Sequence, residues 1–589
     1  MEREMTGAEM VLRAFQDQGV KHVFGYPGGA VLPIYDELIQ QDVIEHILVR
    51  HEQGAGHAAE GYARSTGKPG VCLVTSGPGA TNMVTALTDA MLDSIPLVCI
   101  TGQVPTNLIG SDAFQECDTV GITRTCTKHN WLVKKIEDLP RILHEAFYVA
   151  TSGRPGPVVV DIPKDVQFAT GIYEGPAPNA TQHKSYRPQL KGDMNAIRAT
   201  VELIASAKRP VFYTGGGVIN AGPAASQLLR ELAEMTGVPV TSTLMGLGAY
   251  PASGPLWLGM LGMHGTYEAN MAMHDCDVMI CIGARFDDRI TGRLDAFSPN
   301  SKKVHIDIDP SSINKIVRVD IPIVGDVGYV LEDIVRIWRA SNMKQNPELK
   351  AWHEQVNKWR ARNCLAYKPN DDVIMPQYAL QRLAAAIKGK DYYISTEVGQ
   401  HQMWAAQFLG FEEPNRWLTS GGFGTMGYGL PAAIGAQVAH PDALCINIAG
   451  DASILMNIQE MSTAVQHGLS PKTFILNNSY MGMVRQWQQL LHGNRLSHSY
   501  TDSLPDFVKL AEAYGGTGIR VTKPDELDDA IEEMINAKGP VLFDCCVAQM
   551  ANCFPMIPSG KAHNQMLLPD EATDEVVANA IGNEGKALV

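Results

Sequence analysis

The 589-residue chain contains no apolar run near the roughly 18 residues that a membrane-spanning helix needs, so a membrane protein is not expected. Its opening, MEREMTGAEM, lacks the apolar segment of a secretory signal. Positive charge is in short supply: 48 Lys and Arg against 63 Asp and Glu leave a net charge of −15, a poor match for a polyphosphate backbone, and nucleic acid is not expected as a partner. The eleven cysteines form no CxxC pair, and Cys545 and Cys546 sit together inside an apolar run. That usage reads as reduced core cysteine in a cytosol-like compartment, so a cytoplasmic location is expected. Only 19% of residues are charged against 45% hydrophobic, which leaves no case for disorder. At roughly 100–200 residues per domain, the length accommodates three to four.

What is present is a repeated strand–helix alternation. Thr6 followed by Glu9 fits a capping box, with Ala8, Val11, Leu12 and Phe15 on one helical face and Gly19 as the stop. The strand KHVFGY follows, then a turn at Pro27-Gly28-Gly29. Strand IEHILVR, a helix over about 52–65, strand GVCLVTS, a helix over about 79–93 and strand PLVCITG come next. Short apolar strands separated by dozen-residue helices predict an α/β fold of doubly wound parallel sheets. A domain over 1–170 is followed by a Pro-, Gly- and Asn-rich linker over 171–195. A second α/β domain spans 196–345 with strands PVFYT, VMICIG and KVHIDID, and a polar linker covers 346–375. The third spans 376–565 with strands DYYIST, ALCINIAG, TFILNN and PVLFDCCV, and an acidic, Ala-rich tail over 566–589 closes the chain. The first and third blocks read as two copies of one layout, with Gly-rich turns at the strand ends where open parallel sheets bind ligands.

The most informative stretch is Gly450 to Asn478. One strand ends at Asp451, the next at Asn477-Asn478, a single crossover later, so both side chains can reach one sheet edge. A carboxylate and an amide oxygen there suit Mg²⁺, which takes hard oxygen ligands completed by phosphates and water. A helix after Ala452 would turn its N–H groups toward the same phosphates. For either turn alone, ordinary strand-end turn chemistry is the better explanation; their joint spacing favours the metal. Gly422 to Gly427 satisfies GxGxxG, and a nicotinamide site using Asp451 is the competing reading, though the segment before it, NRWLTS, is a weak strand. In His51-Glu52-Gln53-Gly54-Ala55-Gly56-His57 the histidines are six apart rather than four, which rejects a zincin site. Glu52 alone would complement a helix dipole, while the glycines beside it permit close approach of a ligand. In the middle block, Gly215-Gly216-Gly217, Gly283-Ala284-Arg285 and Asp307-Ile308-Asp309 end three strands. Together they could hold a dinucleotide, with Arg285 on phosphate and Asp309 on a ribose or adenine edge.

Taken together, GDAS…NN, HEQGAGHAAEGYAR, TSGPGATN and GTMGYGLPAAIGA resemble the thiamine diphosphate enzymes. FGYPGGAVLP, TGQVPTNLIGSDAFQE, SGRPGPVVVDIPKD, LGMHG, GARFDDR and GMVRQW are similar to the catalytic subunits of the acetohydroxyacid synthase (acetolactate synthase) family. The resemblance covers roughly residues 5 to 565, with one departure: Ala452 stands where the metal motif usually has its third Gly. It implies pyrimidine-binding, FAD-binding and diphosphate-binding domains in chain order, with thiamine diphosphate, Mg²⁺ and FAD as cofactors. It implies Asp451, the Asn478 side chain and the Tyr480 carbonyl on Mg²⁺. Gln400, His401, Ser453 and Gly482 fall around the diphosphate, with Gly424, Gly450, Ala452 and Met483 also at the cofactor and Met426 under its bend. Glu52 would act on the pyrimidine N1′, with Gln115 and Gly29 near the reacting carbon. Lys164 and Arg289 would line the substrate channel, and Trp487 the acceptor pocket. The FAD set is Arg154, Gly215, Gly216, Gly217, Leu244, Met263, His264, Gly283, Arg285, Asp287, Asp307 and Asp326. The implied activity is decarboxylation of pyruvate and transfer of the two-carbon unit to pyruvate or 2-oxobutyrate, in branched-chain amino-acid biosynthesis. The implied assembly is a homodimer or tetramer with intersubunit active sites, and a small regulatory subunit is a possible partner. Pyruvate oxidase or a 2-oxoacid decarboxylase is the nearest alternative, and a non-catalytic cofactor-binding scaffold the alternative of another class.

Overall fold

The computed structural model describes residues 3–173, 175, 185–573, 576–577 and 579–580, and contains three six-stranded, fully parallel sheets. In spatial order the first is Glu45–Leu48, His22–Tyr26, Gly70–Val74, Leu97–Gln103, Pro157–Pro163 and His129–Leu132. The third is Trp417–Leu418, Tyr392–Thr396, Leu444–Gly450, Lys472–Asn477, Val541–Cys546 and Thr517–Val521. Numbered within each domain, both sheets run 2-1-3-4-6-5, so the two blocks that read alike share one topology. The middle sheet, Trp257–Met260, Val240–Ser242, Pro210–Thr214, Val278–Ile282, Lys302–Asp307 and Ile321–Val324, runs 3-2-1-4-5-6, the order of dinucleotide-binding sheets. Central strands such as Gly70–Val74 and Pro157–Pro163 are buried at every residue, because helices cover both faces.

The local signals behave as their chemistry predicts. Thr6 Oγ1 accepts the Glu9 N–H at 3.1 Å and Glu9 accepts the Thr6 N–H at 2.7 Å, closing the capping box over helix Gly7–Asp17. Strand Arg3–Thr6 pairs antiparallel with Thr170–Tyr173, clipping the amino end to the end of the first domain. The helix expected over 79–93 is two helices, Pro78–Asn82 and Val84–Asp93. The stretch 346–375, expected as a linker, carries helix Leu349–Arg360: Leu349, Trp352, Val356 and Trp359 repeat at helical spacing and pack onto the middle domain. Of the 171–195 linker, residues 174 and 176–184 lie outside the described residues, as do 574–575, 578 and 581–589 of the tail; Leu568 and Val577 of that tail are buried.

The small-residue runs have a packing purpose. Helix Glu52–Thr66 lies on helix Gly429–Ala439, joining the first domain to the third. A Cβ on Gly61 would run into the Ala432 carbonyl, and one on Gly435 into the Ala58 carbonyl. Only glycine lets these backbones approach so closely. Among the described residues, no helix is long and apolar enough to cross a membrane.

Candidate active site

The third domain brings its two oxygen donors to one edge. Strands Leu444–Gly450 and Lys472–Asn477 are hydrogen-bonded neighbours, so Asp451 and Asn478 leave the sheet side by side, as their spacing predicts. Asp451 is buried; its Oδ2 accepts the Thr501 hydroxyl at 3.0 Å, and its Oδ1 has no partner. Burial pushes this carboxyl up to about 6. Asn478 Oδ1 accepts the Tyr480 N–H at 3.2 Å, and its Nδ2 faces Gln400 Oε1 at 3.4 Å. Asp451 and Asn478 line a cavity of about 60 Å³ together with every third-domain residue that the resemblance places at thiamine diphosphate except Gly424. His401 lines it too; burial lowers its imidazole to about 3, and its Nε2 lacks a partner. A buried carboxylate oxygen left unanswered is costly, so the donor set fits a hard cation well. Ala452 lines the cavity as well, so a methyl is accommodated where the motif usually has glycine.

The helix expected directly after Ala452 is absent. The chain there forms a three-residue 3₁₀ turn, Ile454–Met456, too short to present a row of N–H groups. The helix that opens on the cavity is Gly482–Leu491, with no side chain capping its start. A Cβ on Gly482 would collide with the Gln400 side chain. The first-turn amides therefore remain open to an anion.

The GxGxxG run is not a phosphate loop. Its preceding strand has two residues, Trp417–Leu418, at the sheet edge. Several amides of the loop are already taken: Gly421 and Gly422 donate to Asp93 at 2.8 and 2.7 Å, and Gly427 donates to Glu397 at 2.6 Å. Burial raises Glu397 to about 7. Met426, from the same loop, lines the small cavity and also a larger one.

That larger cavity, about 1040 Å³, lies where the three domains meet. It is lined by Arg154, Gly216, Gly217, Leu244, Met263, His264, Gly283, Arg285, Asp287, Asp307 and Asp326, and by Arg289, Trp487 and Gly424. Its volume and mixed walls suit an extended dinucleotide, and the buried His264 Nε2 at its wall has no partner. Two assignments change. Gly215 does not line the cavity; a Cβ there would strike the Gly283 carbonyl, so this glycine serves backbone packing. Asp309 faces Arg154 at 3.5 Å and caps the turn Pro310–Ser312 rather than lining the cavity, whose carboxylates are Asp93, Asp287, Asp307 and Asp326.

The first-domain residues gather elsewhere. Glu52 opens helix Glu52–Thr66, and its Oε2 accepts the Asn82 amide at 2.9 Å. Gly29 follows strand His22–Tyr26 with open space where a Cβ would be. Gln115 stands at φ +59° in the loop after Leu97–Gln103, and Lys164 begins the helix after Pro157–Pro163. All four lie at the carboxyl end of the first sheet, yet none lines either cavity. Exposed apolar side chains surround them, Phe114 (87% exposed), Leu32 and Leu108 among them. Sequence reasoning gave no role to Asn82, although it lies in the quoted TSGPGATN motif, nor to Thr501, which no local signal marks.

Three thiamine pyrophosphate enzyme family models match the chain: the N-terminal TPP binding domain over residues 5–122, the central domain over 197–334 and the C-terminal TPP binding domain over 397–545. The chain is 49% identical over 575 residues to the acetolactate synthase large subunit of Haemophilus influenzae, covering 97% of this chain and 100% of the relative. It is 50% identical over 569 residues to the acetolactate synthase isozyme 3 large subunit of Escherichia coli (96% and 98%), and 46% identical over 570 residues to the acetolactate synthase of Mycobacterium bovis (96% and 91%).

Proposed function

The chain belongs to the thiamine pyrophosphate enzyme family, and we propose that it is the catalytic large subunit of an acetolactate synthase. It would join the two-carbon unit of pyruvate, after loss of CO₂, to a second pyruvate or to 2-oxobutyrate, in branched-chain amino-acid biosynthesis. The observation that carries this reading is the small cavity. There a partnerless Asp451 oxygen, Asn478 and the open start of helix Gly482–Leu491 converge, and Met426 and Met483 join it to the three-domain cavity.

When bound, thiamine diphosphate supplies the electron sink for decarboxylation. Asp451, Asn478 Oδ1 and the Tyr480 carbonyl would hold Mg²⁺. Gln400, neutral His401, Ser453 and the Gly482 amide would orient the diphosphate. Met426 would prop the cofactor bend by bulk alone. Glu52, steadied by Asn82, would hold or pass a proton at the pyrimidine N1′. Gln115 and Gly29 would flank the reacting carbon, Lys164 and Arg289 would line the substrate channel, and Trp487 would shape the acceptor pocket. The three-domain cavity would take FAD, with Arg154 and Arg285 toward its phosphates.

Because Glu52, Gln115, Gly29 and Lys164 line neither cavity of their own chain, we read the acid edge as serving the cofactor of a second copy, with the exposed Phe114 and Leu32 surface covered there. The domains would thus divide into a pyrimidine-binding 1–170, an FAD-binding 196–345 and a diphosphate-binding 376–565. A small regulatory subunit and a cytoplasmic location belong to the same reading. The test is an assay of purified protein with pyruvate, thiamine diphosphate, Mg²⁺ and FAD, each omitted in turn. Acetolactate without oxygen uptake is expected; peroxide or free acetaldehyde as the product would overturn it.

A further inference from the structure

Helix Val84–Asp93 of the first domain turns two buried carboxylates toward the loop that carries Met426. The two Asp93 oxygens accept the Gly421 and Gly422 amides, while Asp89 Oδ1 accepts the Ser420 hydroxyl at 2.7 Å. Ser420 Oγ in turn accepts the Thr425 N–H at 2.8 Å, closing the loop on itself one residue before Met426. Arg64 donates to the Thr419 carbonyl at 2.5 Å and lies 3.5 Å from Asp93 Oδ2. From the other side, Glu397 takes the Gly427 amide and Asn457 donates to the Gly427 carbonyl at 2.7 Å.

A loop holding Gly421, Gly422, Gly424 and Gly427 has more backbone freedom than any other composition would give it. Here that freedom is removed at Gly421 and Gly422 by a side chain of the first domain, and at Thr425 and Gly427 by side chains of the third. The first-domain hydrogen bonds reach Thr419, Ser420, Gly421 and Gly422 of the loop, apart from the helix contact that already joins the domains. The Gly421 and Gly422 amides end on the two oxygens of one side chain, Asp93, which fixes the direction of both at once. Arg64 lies within reach of Asp93, Asp89 and Glu60, supplying positive charge inside this otherwise acidic cluster.

We propose that Asp89, Asp93 and Arg64 are positioning residues of the thiamine diphosphate site, acting through Ser420 and the Gly421–Gly422 amides to set Met426 at the junction of the two cavities. The proposal rests on the functional reading above. It is tested by isothermal calorimetry of thiamine diphosphate with Mg²⁺, near-ultraviolet circular dichroism of the bound cofactor and thermal unfolding, on wild type, Ser420→Ala, Ser420→Thr and Asp93→Asn. Ser420→Ala and Asp93→Asn are expected to weaken cofactor affinity about tenfold each and to alter the cofactor's dichroism, with Ser420→Thr restoring both. Wild-type affinity and dichroism in both variants, with only a lower melting temperature, would reduce the clamp to a domain tie and overturn the proposal. Should Asp93→Asn fail to fold, Ser420→Ala decides alone, since it removes a single oxygen. A wild-type chain that takes up no thiamine diphosphate overturns the functional reading and the proposal with it. Undiminished affinity in the variants overturns the proposal only.

Discussion

The first and third domains thread six strands in the same order, yet their carboxyl edges have opposite characters. The third edge is closed and wired for charge: Asp451 and Asn478 are buried, and helix Gly482–Leu491 opens onto a cavity of about 60 Å³. The first edge is open: Gly29 faces free space, Phe114 is exposed, and Glu52 meets Asn82. On the proposed reading one topology carries two half-sites, and the loops rather than the sheets decide which half each becomes. The middle domain, wound 3-2-1-4-5-6, contributes a wall of the larger cavity and neither half-site.

Separating the two edges by mutation is the sharpest test of that contrast. Glu52→Gln should leave cofactor affinity intact in calorimetry while lowering acetolactate turnover by roughly 10²–10⁴-fold. Near-wild-type rates would move the acid elsewhere. Asp451→Ala should do the reverse, weakening Mg²⁺-dependent cofactor binding by at least about a hundredfold, as titration calorimetry would register.

Strands Pro157–Pro163 and Val541–Cys546, next to one edge of the first and third sheets, offer a comparison in stability. In the first domain Asp161 is buried with neutral partners, Thr101 at 2.7 Å and Gln103 at 2.9 Å, and burial raises its carboxyl to about 7. Its counterpart on Val541–Cys546, Asp544, has Arg520 at 2.8 Å. A carboxyl raised in the fold keeps its proton longer than in the unfolded chain. Its contribution is therefore full below the ordinary carboxylate range and is lost as pH rises toward 7. Asp161→Asn should flatten that part of the stability profile, worth about 1–4 kcal/mol, as denaturant unfolding between pH 4 and 8 would record.

The joint between the two domains can be strained directly. Gly435→Ala drives a methyl into the Ala58 carbonyl and should cost about 1–3 kcal/mol, visible as a lower melting temperature. Trp487→Leu, on the wall that all three domains share, should act least, shifting the product ratio from 2-aceto-2-hydroxybutyrate toward acetolactate a few-fold in competition assays.

Much of this molecule was readable along the chain. The Thr6–Glu9 cap, the apolar strands and the single crossover between Asp451 and Asn478 all depend on neighbours within one strand–helix unit, where periodicity and spacing are informative. So does the stripe of Leu349, Trp352, Val356 and Trp359, whose helical spacing is present but obscured by the polar residues around it.

Other features depend on partners hundreds of residues away. Asp89 and Ser420 are 331 positions apart, and no local pattern announces that pairing. The outer GxGxxG glycines, Gly422 and Gly427, look free for a phosphate until Asp93 and Glu397 are seen to occupy their amides. The helix start facing the small cavity belongs to Gly482 rather than to Ala452, because the chain after Ala452 closes into a 3₁₀ turn. Residue order determined the elements and the chemistry available at their ends. Only the packed chain decided which amides and carboxylates remained unsatisfied, because burial and hydrogen bonding are settled by every neighbour at once.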